Sequence, residues 1–342
     1  MKRPANIFGC NPPRQTVNTE VFSYRGVLID EEGIRHGTII EGNFEESRTD
    51  YSEYVFTPTF FNAHTHLGDA VGKDPPFMDL KSLVAPGGYK FKILESSSKE
   101  NLRSALIHEL EIAKSAGTSC FLDFREGGIE GLEVTSGIRE IITLGRPKTM
   151  EEAEKMNCSG FGMSSVRDHD FEFLCEVRKI ARRRGIFFAI HAGEMDCEDV
   201  EGALELEPDI LVHMNSCPEL LKRFTDRGIP IVSCIRSNAF FGLLNLKAYA
   251  VLSEYENWLL GTDNAMLFNP SVLEEMHFAS LLLRKDLEVF KAGIRGFKLF
   301  SVPSGYIVFH RKKNLKNSKN LISSIVRRAG VEDIEFVVLP QP

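Results

Sequence analysis

Asn62-Ala63-His64-Thr65-His66 is the stretch whose reading decides the fold. It closes an apolar, β-rich run at residues 55–61, so both histidines sit where a buried strand ends. Side chains two apart on an extended backbone point to the same side, which aims His64 and His66 together. The question is then which other strand ends reach the same place.

Seven further runs of this kind follow, at residues 118–124, 141–144, 160–166, 186–190, 210–212, 229–234 and 258–260. Such near-continuous apolar runs read as strands buried on both faces, as in a parallel sheet covered by helices. Helix signals fill the gaps. Leu102, Ala105, Leu106, Leu110 and Ala113 form one apolar stripe, with Ser98 as N-cap and Gly117 as the stop. Thr149 and Glu152 have capping-box spacing, and Phe171, Leu174, Val177 and Ala181 line another helix, ended by Gly185. Eight strands with interposed helices predict a (β/α)8 TIM barrel over residues 55–300, with a doubly wound open sheet as the alternative. No G-x-G-x-x-G follows the first strand, which weighs against the nucleotide-binding form of that alternative. Residues 1–54 and 301–342 carry short β-like pieces at 24–29, 37–40, 305–310 and 335–339. They predict a small β-rich module formed by the N- and C-terminal segments.

Catalytic groups in such barrels stand at the C-terminal ends of the strands. The fifth run ends in His191-Ala192-Gly193-Glu194, the sixth in His213-Met214-Asn215 and the eighth in Gly261-Thr262-Asp263-Asn264. Four of the nine histidines therefore fall at strand ends on one predicted face. His64, His66 and His191 with one carboxylate make a nitrogen/oxygen shell suited to zinc or iron(II). A catalytic shell keeps one position for water, whose pKa falls to about 7 on the metal. A lone H-x-H is a weak signal; the ordered set of H-x-H, His, His and Asp is a strong one. Arg125 and Glu126 after the second strand, Ser165 after the fourth, and Arg236, Ser237 and Asn238 after the seventh face the same cavity in a barrel. They are the expected substrate-binding groups. Asp123, just inside the end of the second strand, fits either a packing or a site role. His36, His108, His169, His277 and His310 fall on loops, helix faces or the terminal module and are read as ordinary residues.

Composition narrows the function classes. The chain has 342 residues, 43% hydrophobic and 26% charged, which is ordinary for a globular protein. A net charge of −7 leaves no basic footprint for nucleic acid, and the run Arg311-Lys312-Lys313-Asn314-Leu315-Lys316 reads as a solvated loop. No apolar run approaches the roughly 20 residues needed to span a bilayer, and residues 1–10 show no apolar leader segment. Seven cysteines, none in a C-x-x-C pair, predict reduced thiols and a cytoplasmic location. The expected partner is a small-molecule substrate, and the oligomeric state stays open, a homo-oligomer included.

His64-Thr65-His66, His191, His213 and Asp263 resemble the amidohydrolase superfamily. The string His191-Ala192-Gly193-Glu194 is similar to the adenosine deaminase branch and related aminohydrolases, as are Gly261-Thr262-Asp263-Asn264 and Arg236-Ser237-Asn238. The resemblance covers roughly residues 55–300. It implies one divalent transition metal, zinc before iron(II), on His64, His66, His191 and Asp263. It also implies His213, Glu194 and Asp263 as the groups that handle protons. Binuclear relatives carry a bridging carboxylated lysine or a glutamate after the fourth strand; here that neighbourhood is Gly162-Met163-Ser164-Ser165-Val166. The implied reaction is hydrolytic deamination of an aminated heteroaromatic compound. Cyclic-amide or chlorohydrolase-type hydrolysis, or a non-catalytic barrel, are the other readings. Residues 67–91 show no substrate signature. The nucleobase-deaminase pattern H-x-E with P-C-x-x-C is absent, and His108-Glu109 lacks the second histidine of H-E-x-x-H.

Overall fold

The computed structural model describes residues 7–8, 23–51 and 53–340. Apart from positions 7 and 8, the stretch at residues 1–10, with Cys10, lies outside the described residues. In chain order the strands are β1 (Ile7–Phe8), β2 (Ser23–Asp30), β3 (Gly33–Ile40), β4 (Asn43–Glu46), β5 (Tyr54–Pro58), β6 (Phe60–His66), β7 (Thr118–Arg125) and β8 (Ile141–Gly145). They continue as β9 (Gly160–Met163), β10 (Phe187–Ala192), β11 (Ile210–His213), β12 (Ile231–Ser233), β13 (Trp258–Leu260), β14 (Asp263–Asn264), β15 (Tyr306–His310) and β16 (Ile334–Val338).

Two sheets result. One runs β13-β12-β11-β10-β9-β8-β7-β6-β14 and the other β1-β16-β15-β5-β2-β3-β4. In the first, β13 pairs in parallel with β12 while β14 pairs in parallel with β6, placing Asp263 opposite Thr65. Because only Gly261 and Thr262 separate β13 from β14, the two are one passage of chain that closes the sheet into an eight-stranded barrel. Gly261 N–H donates to the Ser233 carbonyl at 3.0 Å and Thr262 N–H to the His64 carbonyl at 2.9 Å. A Cβ on Gly261 would stand 2.7 Å from the His64 Cβ and 2.9 Å from its backbone N and O, so closure at this point needs glycine. Every residue of β6, β7, β9, β11, β12 and β13 is buried, as strands covered on both faces require.

Helix boundaries follow the capping signals. Ser98 Oγ accepts from the Asn101 N–H ahead of the helix Lys99–Ser115, and Thr149 caps Met150–Lys155 by accepting from Glu152 N–H. The helix Phe171–Arg184 ends at Gly185, whose φ of +64° lies in the left-handed region that glycine enters freely.

The run at residues 55–61 serves two sheets rather than one. Tyr54–Pro58 pairs antiparallel with β15 and parallel with β2 in the terminal sheet, and the barrel strand begins only at Phe60. An apolar run marks burial, not the partner, so the change of sheet at Thr59 leaves no periodic trace. The terminal sheet, mostly antiparallel, joins strands from both chain ends around Leu28, Ile39, Phe56 and Val308. The chain divides into two compact units. One is drawn from Met1–Phe61, Ala113–Ser119 and Ser271–Pro342, the other from Asn62–Ile112 and Cys120–Pro270. All the residues of the site described next belong to the second unit.

Candidate active site and metal centre

The parallel register sets the ends of β6, β10, β11 and β14 side by side: Ala192 pairs with His213, and Asp263 with Thr65. Four imidazoles and one carboxylate meet there. Nε2 of His64 lies 3.2 Å from Nε2 of His191 and 3.4 Å from Oδ1 of Asp263, and Nε2 of His66 lies 3.7 Å from the same oxygen. His64 and His213 are at most 1% exposed.

The other ring nitrogens assign the tautomers. Nδ1 of His191 is 2.8 Å from the Met163 carbonyl, which can only accept, so the proton sits on Nδ1 and Nε2 carries a lone pair. Nδ1 of His66 is 2.8 Å from Oε1 of Glu126, whose negative charge favours the same tautomer. His191 Nε2 and Asp263 Oδ1 therefore both approach His64 Nε2, and His66 Nε2 approaches the same Asp263 oxygen. A tetrahedral ion with metal–nitrogen distances of about 2.0–2.1 Å sets its ligand atoms roughly 3.3 Å apart. The observed spacings of 3.2 and 3.4 Å fit a divalent ion among these donors. Three overlapping triplets, His64-His66-Asp263, His64-His191-His213 and Glu194-His213-Asp263, each bring their ligand atoms within 4.8 Å of one another.

Burial tunes the surrounding groups. It lowers His66 to about 4 and His213 to about 3, keeping both neutral at ordinary pH. Burial also pushes the Glu194 carboxyl well above the usual range, helped by the negative charges of Asp263 and Asp199. Asp263 goes the other way: burial works against its charge, but a hydrogen bond with His64 and the interactions with His64, His66 and His213 hold it well below the carboxylate range. Two carboxyls are thus driven apart in acidity within one pocket. Oε2 of Glu194 lies 3.5 Å from Nε2 of His213. The Glu194 carbonyl accepts from Asn215 Nδ2 at 2.9 Å and from Ser216 Oγ at 2.5 Å, which ties the two active-site loops together. His213 and Asp263 both have positive φ, +78° and +61°, a region few non-glycine residues occupy and one that clusters at functional sites.

His66, His191, Glu194, His213 and Asp263 line a cavity of about 470 Å³ together with Leu80, Lys81, Val84, Ala85, Lys90, Arg146, Ser164, Ser165, Arg167 and Met195, among others. Of the expected substrate-binding residues, Glu126 and Ser165 line the cavity, and Ser237 donates to Oδ2 of Asp263 at 2.5 Å. Arg125 is packed against Gly68, where an added Cβ would meet its guanidinium at 2.2 Å, and pairs with Glu126 at 3.0 Å. Arg236 donates to the Asn269 carbonyl and lies over the Phe268 ring; Asn238 accepts from Tyr249 Oη at 2.8 Å. Neither lines the cavity. Asp123 accepts from the Leu67 N–H at 2.7 Å, fixing the chain as it leaves β6.

Among the charged residues that escaped the sequence reading are Asp69, Lys90 and Arg146. Lys90 is 3% exposed, with its ammonium 2.7 Å from Asp69 and 2.8 Å from Glu126. The segment 67–91, featureless in sequence, thus supplies one cavity wall. The trace available beforehand was a carboxylate three residues past the H-x-H pair. The expectation of reduced thiols is also corrected: Cys197 and Cys217, on the loops after β10 and β11, form a disulfide, while Cys120, Cys158, Cys175 and Cys234 are free. A pair 20 residues apart carries no C-x-x-C signature, and only the register of β10 beside β11 brings it together.

A curated protein of Archaeoglobus fulgidus named "Putative aminohydrolase" is 52% identical over 326 residues, covering 95% of this chain and 98% of that one. The chain belongs to this aminohydrolase family. No protein-family model matches it. The aminohydrolase chain is also similar in structure to an adenosine deaminase of Xanthomonas campestris with bound zinc, at TM-score 0.67 and 13% identity over 93% of this chain and 91% of that one. A 5-methylcytosine deaminase of Klebsiella pneumoniae, liganded with 5-fluorocytosine, gives TM-score 0.70 at 12% identity over 93% and 98%. At these identities the likeness establishes the barrel fold alone. Among the described residues of this aminohydrolase, no helix is long and apolar enough to cross a membrane.

Proposed function

We propose that this aminohydrolase deaminates an aminated heteroaromatic compound (a nucleoside, a nucleobase or a related ring) by hydrolysis, with one zinc ion held by His64, His66, His191 and Asp263. The observation that carries the reading is the convergence of three imidazoles and a carboxylate beside a second carboxyl of opposite acidity. Such an ion, when bound, supplies Lewis acidity that brings the pKa of water to about 7. The chain's own residues do the rest. Asp263 and the neutral His213 accept the proton that the attacking water gives up. Glu194, kept protonated by its surroundings, donates to the ring nitrogen next to the carbon under attack, relieving the negative charge that builds there. Leu80, Val84 and Met195 give the cavity an apolar wall for the ring. After β9 stand Ser164 and Ser165, and neither can bridge a second ion as lysine or glutamate would.

Elemental analysis of the purified chain, with ammonia release followed on aminated nucleosides, nucleobases, pterins and triazines, tests this. One equivalent of transition metal and ammonia from a heteroaromatic amine are expected. Protein that is folded yet binds no transition metal overturns the reading, and two equivalents at full activity overturn the single-ion site.

A further inference from the structure

We propose that Glu126 is a positioning residue for His66, and that Lys90 and Asp69 hold Glu126 in that role. The inference rests on the metal-site reading above and concerns a contact outside the ligand set. Oε1 of Glu126 lies 2.8 Å from His66 Nδ1 and 2.8 Å from Lys90 Nζ, while Oε2 accepts from Arg125 at 3.0 Å. Both oxygens are thereby committed, and the carboxylate cannot rotate away from the ring. Glu126 is 7% exposed and Lys90 3%, so neither charge is screened by bulk water. A carboxylate at Nδ1 fixes the tautomer that leaves a lone pair on Nε2, turns the ring toward Asp263, and raises the basicity of that nitrogen. His191 obtains the same orientation from the Met163 carbonyl, a neutral acceptor. Of these two rings, His66 alone has a charged partner.

Lys90 makes the arrangement depend on a distant segment. It is carried by the helix Tyr89–Ser96, and its ammonium joins Glu126 to Asp69, which itself follows β6 by three residues. The segment 67–91, which had no assignable purpose in sequence, thus braces the partner of a histidine on the strand it leaves.

The test uses the full chain and zinc itself. Apparent zinc affinity is measured by competition with a chelator for wild type, Glu126→Gln, Glu126→Leu and Glu109→Gln. The last replaces a buried carboxylate ion-paired with Lys73 and controls for loss of any buried charge. The visible absorption spectrum of the cobalt(II)-loaded form reports the geometry of the shell directly. Glu126→Leu should weaken zinc binding about 10- to 100-fold, the range seen when outer-shell partners are removed. Glu126→Gln still accepts at Nδ1 and should restore part of that loss; Glu109→Gln should bind as wild type does. The cobalt spectrum should shift in the Leu variant and return toward wild type in the Gln variant. If Glu126→Leu does not fold, full wild-type zinc affinity in Glu126→Gln, where only part is expected, overturns the proposal. Wild-type affinity and spectrum in Glu126→Leu overturn it too, as does a loss that Glu109→Gln reproduces. Failure of wild type to bind zinc instead overturns the metal-site reading, so the two outcomes stay distinct.

Discussion

Ser237 Oγ donates to Oδ2 of Asp263 at 2.5 Å, while Oδ1 of that carboxylate lies 3.4 Å from Nε2 of His64. The serine, on the helix Ile235–Phe240, therefore decides which oxygen faces the imidazoles. A hydrogen bond to a charged group contributes about 1.5–3 kcal/mol. If that support acts in the transition state, Ser237→Ala should lower kcat about 10- to 100-fold with metal content unchanged. Steady-state kinetics alongside metal analysis decide the point, and a kcat within twofold of wild type rules the role out.

His64 and His213 should separate by phenotype. His64 sits among three donors at the centre of the cluster, and His64→Ala should lose the metal. His213→Asn should keep it while kcat falls roughly 10²- to 10⁴-fold, the range for a general acid–base group. Equal loss of metal in both variants would make His213 a ligand.

Glu194→Gln preserves shape but removes the donated proton, so turnover should collapse; more than a tenth of wild-type turnover would sink the assignment. The same variant has a stability signature in metal-free protein. Burial raises the native pKa of Glu194 above its unfolded value, so between those two values the folded state binds more protons. Its contribution to stability is present below the unfolded pKa and is lost as pH rises toward the native pKa. Glu194→Gln should therefore gain Tm over wild type at neutral pH and lose that advantage near pH 4, as thermal melts would read.

Gly261→Ala inserts a Cβ into the 2.7–2.9 Å space against His64. Overpacking of this kind costs about 1–3 kcal/mol. Urea unfolding should show that loss together with weaker metal retention, since the displaced strand carries Asp263. Stability and metal affinity both at wild-type levels would show that closure tolerates the methyl group.

The Cys197–Cys217 disulfide closes a loop of 20 residues, for which chain entropy gives about 3 kcal/mol. Reduction with a dithiol should expose two further thiols and lower the denaturation midpoint accordingly. An unchanged thiol count on reduction would show that the pair is not bonded in solution.

The strands, the helix caps and the metal ligand candidates were legible because each leaves a local trace. Burial on both faces writes an apolar run, a cap writes a serine or threonine three residues ahead of the N–H it accepts from, and alternation aims His64 and His66 together. Glu194 was legible only through the string His191-Ala192-Gly193-Glu194. The contacts that hold those groups in place left no such trace. Lys90 reads as one more helical lysine among Tyr89, Phe91 and Ile93, and its burial between Asp69 and Glu126 depends on residues 21 positions behind and 36 ahead of it. Arg236 and Asn238 reach other partners although their neighbour Ser237 reaches Asp263.

The sequence by itself determined an eight-stranded barrel with histidines and an aspartate at its strand ends, because periodicity and spacing are properties of the chain. Only the tertiary structure decided which oxygen of Asp263 faces His64, which tautomer His66 adopts, and that two cysteines bond. Those outcomes depend on distances between segments remote in sequence, set by parallel register and by the close approach of β6 to the chain at Gly261.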